Sequence, residues 1–196
     1  MKPLLIRQAG AVALWLPRST CLWSSAACRD YCDAVGYHNG SEAQEALIAL
    51  RLTQEAGVGS ERWHRVIHRA IADLVLSSTG VLLVCAQGDI IPEIEDIVAA
   101  IMAEALHGGN AVIGFTRNLE WARRCYHERL GRVFFSVDAA CSVPEGILGI
   151  SIAHPEDGSM RLSTIPHSSS CSERARAPVA TCDRCRREGS GCFHVG

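Results

Sequence analysis

No apolar run in this chain approaches the roughly 20 residues needed to cross a bilayer as a helix, which speaks against a membrane span. Lysine is reduced to Lys2 alone, an arginine bias of the kind that genome composition produces and that carries no functional weight. The net charge of −2 excludes polyanion binding by overall charge. GxGxxG, Walker A and GxSxG patterns are missing, so nucleotide hydrolysis and serine-hydrolase chemistry have no support. The opening Met1-Lys-Pro-Leu-Leu-Ile-Arg7 holds no apolar core long enough for a secretory signal before Arg7 interrupts it. A cytoplasmic protein is therefore expected, and a disulfide-stapled secreted one ranks last.

What is present is an ample core and many thiols. Apolar residues make up 48% of 196 residues, enough for one domain with a small appendix and against global disorder. Ten cysteines fall largely into two groups, and clustered thiols in a cytosolic chain point to metal. Cys21, Cys28 and Cys32 share one loop after the apolar Ala11–Leu16, separated by six and then three residues. Three thiolates can hold an iron–sulfur cluster or most of a zinc site while leaving a coordination position open for chemistry. The second group, Cys171, Cys182, Cys185 and Cys192, includes a CxxC pair and has enough ligands to close a shell, with His194 able to replace Cys171. Cys85, Cys125 and Cys141 read as core or surface residues, and His64 and His68 as a solvated helix face.

Periodicity predicts an α/β protein. A buried first strand is expected over residues 4–16, ending at Pro17. Helices are expected from Ser41 to about Ala56 and again after the capping Ser60, with Trp63, Ala70 and Leu74 on a buried face. Strand Gly80–Cys85 leads to Pro92, which opens a third helix carrying the stripe Ile94, Ile97, Val98, Ile101 and Ala105. Strand Ala111–Phe115 leads to a fourth helix, capped by Asn118 and running through Leu130. Strands Arg132–Val137, Ile147–Ala153 and Met160–Ile165 follow. This alternation predicts a mostly parallel sheet, either a partial barrel or an open doubly wound sheet, over residues 1–165. A Cys-, Arg- and Ser-rich metal-binding tail would occupy 166–196.

Parallel folds collect ligands at the carboxyl ends of their strands. Here those ends carry the Cys21–Cys32 loop, Gln87-Gly88-Asp89, Thr116-Arg117, Asp138 and His154, which would face one cavity. The tail is locally basic, with six arginines from Arg161 onward against Glu173, Asp183 and Glu188. It could touch nucleic acid, although it lacks interleaved aromatics for base stacking.

The order of these motifs resembles a phage and plasmid family known as gene product 88. The resemblance is carried by Thr20-Cys…Cys28-Arg-Asp-Tyr-Cys32, Gln87-Gly88-Asp89, Phe115-Thr116-Arg117, Ser136-Val-Asp138 and Cys182-Asp-Arg-Cys…Gly191-Cys192-Phe193. That family in turn resembles radical S-adenosylmethionine proteins, whose three cysteines after the first barrel strand hold a 4Fe–4S cluster. The usual spacing there is three then two intervening residues, and this chain departs from it. The resemblance implies a partial (β/α) barrel with Cys21, Cys28 and Cys32 as cluster ligands. It further implies that Gly88, Asp89, Thr116, Arg117 and Asp138 line a pocket for S-adenosylmethionine or an unknown small-molecule or macromolecular substrate. The second thiol group would hold an auxiliary cluster or zinc. The competing expectation is a non-catalytic zinc module of a mobile element contacting nucleic acid or a protein partner.

Overall fold

A computed structural model describes residues 4–8, 11–25, 41–138, 144–145, 147–153 and 161–164, with backbone only at 8, 86, 87, 138, 150–153 and 161–164. The strands are β1 (Ile6–Gln8), β2 (Ala11–Trp15), β3 (Val81–Gln87), β4 (Ala111–Thr116), β5 (Arg132–Asp138), β6 (Leu148–Ala153) and β7 (Arg161–Thr164). The helices are α1 (Ser41–Ala56), α2 (Glu61–Ser77), α3 (Glu95–His107) and α4 (Leu119–His127). All seven strands form one sheet in chain order. The run β2 to β6 is parallel throughout, and β1 and β7 pair antiparallel at the two edges. Among the described residues no pairing joins the edges, so the sheet is open.

The two faces of the sheet differ. Val12, Leu14, Leu82, Val84, Val112 and Val133 point to the side where all four helices pack. There they meet Leu47 and Leu50 of α1, Trp63 and Leu74 of α2, Ile97 and Met102 of α3, and Trp121 of α4. Alternate residues Ala13, Leu83, Ile113 and Phe134 form a second apolar cluster on the other face, joined by Phe115, whose ring stacks on Phe134. Strands with apolar residues on both faces are the mark of a buried parallel sheet. Among the described residues the strand order never reverses and the four helices share one face, which is not the pattern of a doubly wound sheet.

The expected helices fall where their stripes place them. Ser60 caps α2 by accepting the Trp63 N–H at 3.1 Å. Arg124 on α4 reaches Asp96 on α3 at 2.7 Å and Glu128 at 2.9 Å, and lies over the Trp121 ring, fastening neighbouring helices.

Four expectations need correction in detail. The single strand over 4–16 is a hairpin of β1 and β2, because polar Arg7 and Gln8 interrupt the apolar run. β3 extends beyond Cys85 to Gln87 through a bulge: Trp15 pairs with Gln87 where Leu14 pairs with Val84, and Cys85 takes φ +59°. Pro92 opens a 3-10 turn, Pro92–Ile94, that leads into α3 rather than the helix itself. Finally, α4 stops at His127 instead of Leu130, since Arg129 turns left-handed at φ +55° and the Leu130 N–H closes back on the Cys125 carbonyl at 3.0 Å.

Candidate functional site

Parallel strands deliver their carboxyl ends to one rim of the sheet, and there the polar residues converge. β2 leaves the sheet through Pro17 into a 3-10 turn, Arg18–Thr20. The Thr20 hydroxyl donates to the Pro17 carbonyl at 2.8 Å, and the Cys21 N–H donates to the Arg18 carbonyl at 2.9 Å. The Cys21 carbonyl accepts both the Ser24 hydroxyl at 2.9 Å and the Ser24 N–H at 3.3 Å. With its backbone held in this way, Cys21 presents a half-buried thiol at the rim.

The next strand end leans directly on that turn. Gly88 follows β3 at φ +73°, and a Cβ there would lie 2.5 Å from Leu16 Cβ and 2.7 Å from both the Leu16 carbonyl oxygen and Thr20 Oγ1. Glycine is required by conformation and by space together. The close approach lets the Asp89 N–H donate to Thr20 Oγ1 at 2.9 Å, a bond between residues 69 apart in the chain.

Asp89 is 4% exposed and connects the ends of β3 and β4. Its Oδ1 accepts the Thr116 hydroxyl at 2.5 Å and the Ile90 N–H at 2.8 Å, while Oδ2 accepts the Arg117 N–H at 2.8 Å. Thr116 Oγ1 also accepts the Asn118 N–H at 2.9 Å. Burial pushes the Asp89 carboxyl up to about 6, with the bonds from Thr116, Arg117 and Ile90 opposing that rise. The Thr116 contact serves either protonation state, because a hydroxyl oxygen can accept the proton that a neutral carboxyl gains.

Asn118 finishes the junction. Its side-chain oxygen caps α4 by accepting the Trp121 N–H at 3.1 Å, and its amide nitrogen donates to the Ile90 carbonyl at 3.1 Å and to Glu95 at 3.3 Å. Replacing Asn118 by alanine is therefore expected to cost about 2 kcal/mol, at the upper end for a cap because a buried carbonyl also loses its donor. Urea unfolding measures this directly, and a loss below about 0.5 kcal/mol would show that water replaces the amide.

Arg117 extends from the same strand end, and its Nη1 lies 3.4 Å from Ser25 Oγ on the far side of the Cys21 turn. Thus Gly88, Asp89, Thr116 and Arg117 from the sequence reading are brought together beside Cys21. Asp138 ends β5, with its side chain outside the described atoms. Cys28, Cys32, Cys141, His154, Cys171, Cys182, Cys185, Cys192 and His194 lie outside the described residues, as does the tail from 166. Among the described residues no three His, Cys, Asp or Glu side chains gather as a metal site, and no helix is long and apolar enough to cross a membrane.

Thr20, Ser25 and the second role of Asn118 are additions to the residues picked from sequence. Cys85 and Cys125 are buried, as a core role requires. Burial holds the Cys85 thiol well above its usual value, reinforced by neighbouring Asp89, Cys125 and Cys21, and burial pushes Cys125 up to about 12. His64 and His68 are exposed on α2. Against known protein families, curated proteins and solved structures, the chain shows no match.

Proposed function

We propose that the chain is an iron–sulfur protein of radical S-adenosylmethionine type, built on an incomplete (β/α) barrel, with Cys21, Cys28 and Cys32 as the ligands of a 4Fe–4S cluster. The observation that carries this reading is the position of Cys21: it is a half-buried thiol on the turn leaving the first parallel strand, against the Gly88-Asp89 and Thr116-Arg117 strand ends. The order of the strands and the placement of all four helices on one face support the barrel-like half. Gene product 88 remains the family whose motif order the sequence follows.

The donor set suits the group. Thiolate is the soft ligand that iron–sulfur clusters require, and among the described thiols Cys21 is the one with access to solvent. Cys85 and Cys125 are held as neutral thiols by burial and are poor ligands. When bound, the cluster would supply single electrons to S-adenosylmethionine at its open coordination position. Arg117 contributes a cation at the rim beside Cys21, and the Asp89–Thr116 junction holds the ends of β3 and β4 together there.

Anaerobic purification followed by iron, sulfide and zinc analysis tests the proposal. Brown protein with a broad thiolate-to-iron absorption is the expected result, and Cys21→Ser should lose most of that iron while keeping its helical circular dichroism. Colourless protein with stoichiometric zinc would instead favour the zinc-module reading. Reduction in the presence of S-adenosylmethionine should then yield 5′-deoxyadenosine; without it, the protein is a cluster carrier lacking radical chemistry.

A further inference from the structure

We infer that Thr20, Asp89, Arg117 and Ser25 form a two-point clamp that positions the turn carrying Cys21, which makes Asp89 a positioning residue rather than a group that touches the bound cofactor. The inference deepens the proposed reading of Cys21 and rests on it.

The first point of the clamp lies just before Cys21. The Thr20 hydroxyl accepts the Asp89 N–H and donates to the Pro17 carbonyl, so one buried oxygen joins the turn to the end of β3. The second point lies just after the turn, where Arg117 reaches Ser25. Both points lead to the same residue: the first to the Asp89 backbone N–H, the second to its carboxylate, where Oδ2 accepts the N–H of Arg117. Asp89 is nearly inaccessible, and both its oxygens are engaged by Thr116, Ile90 and Arg117. A group so placed reaches a ligand only through its neighbours. Between the two points, Cys21 has its N–H and carbonyl already engaged within the turn, which sets the direction in which the thiol is offered. Preorganisation of this kind is what a ligand-bearing loop needs if it is to hold a cluster without ordering itself each time.

The test is alkylation of the full-length protein by iodoacetamide under native conditions, with each cysteine followed by peptide mass mapping. Thr20→Val keeps the shape and removes the hydroxyl; it should raise the Cys21 rate about tenfold, the equivalent of one lost buried hydrogen bond. Ser25→Ala should raise the rate about threefold, since its contact with Arg117 is long. Cys85 and Cys125 should stay protected in both variants, and Thr20→Ser should behave as the parent does. This pattern separates positioning from general destabilisation, which would expose the buried thiols along with Cys21. If Thr20→Val fails to fold, Ser25→Ala decides alone. An unchanged Cys21 rate in the folded variants, or equal exposure of all three thiols in Ser25→Ala, overturns the clamp. Absence of iron from the parent protein speaks against the cluster proposal, whereas the ratio of variant to parent rates reads the clamp.

Discussion

Replacing Gly88 by alanine is expected to destabilise the protein by about 4 kcal/mol, combining the left-handed backbone penalty with overlap against neighbouring atoms. At φ +73° an L-residue is strained, and the added Cβ would meet Leu16 and Thr20 at 2.5 to 2.7 Å. One of those contacts is the Leu16 carbonyl oxygen, which no side-chain rotation can move aside. Either β3 retreats from the turn and the Asp89 N–H loses Thr20, or the turn itself shifts. Gly57 provides the control: its φ is +83°, but nothing lies within 4 Å of the Cβ position. Gly57→Ala should therefore show only the conformational part, about 1 kcal/mol. Urea midpoints with unchanged slopes measure the difference. Equal losses in the two variants would mean that the Gly88 approach is looser than its geometry. With Gly88→Ala, Cys21 should also become more reactive toward iodoacetamide, since the same movement releases the first point of the clamp.

The close approach at Gly88 also shows where sequence reasoning stops. Local signals worked where the physics is local. Ser60 before a helical stripe and Asn118 before Trp121 are caps that need only residues three positions away. The strand ends were legible because polar residues terminate apolar runs, and parallel alternation then put Gly88, Asp89, Thr116 and Arg117 on one rim. Thr20 opens one of the motifs that carry the resemblance, but no local signal marks its bonding role, because its partner is 69 residues away. The bulge at Cys85 was equally hidden. Cysteine has no preference for φ above zero, so only the pairing of Trp15 with Gln87 exposes it. The early end of α4 reflects a competition the pattern cannot decide: the apolar Leu130 continues the stripe, but Arg129 turns left-handed before it.

Asp89→Asn carries the second large effect, and its sign depends on pH. The folded carboxyl stands at about 6 against an ordinary 3.8, because burial disfavours the charge. A carboxyl raised on folding contributes stability that is fully present below the unfolded value and is lost as pH rises through the folded one. The parent protein should thus lose about 3 kcal/mol through this group between pH 3 and pH 7.5, roughly 2.2 units at 1.36 kcal/mol each. Asparagine keeps the volume and can accept the Thr116 hydroxyl and the Ile90 N–H through its oxygen. Its amide nitrogen, however, faces the Arg117 N–H, donor against donor, at the position where Oδ2 now accepts at 2.8 Å. That mismatch should cost about 2 kcal/mol at every pH. At pH 3 the variant is then the less stable protein by about 2 kcal/mol, and at pH 7.5 the more stable by about 1 kcal/mol. The crossing of the two curves is the quantity to measure, by urea unfolding across that range, because contributions from groups the substitution leaves unchanged cancel in the difference. Curves that stay parallel would mean that Asp89 remains ionised throughout, with its three donors outweighing the burial. In that case Asp89→Asn would weaken the junction at every pH, and the Cys21 turn would be anchored to a fixed charge.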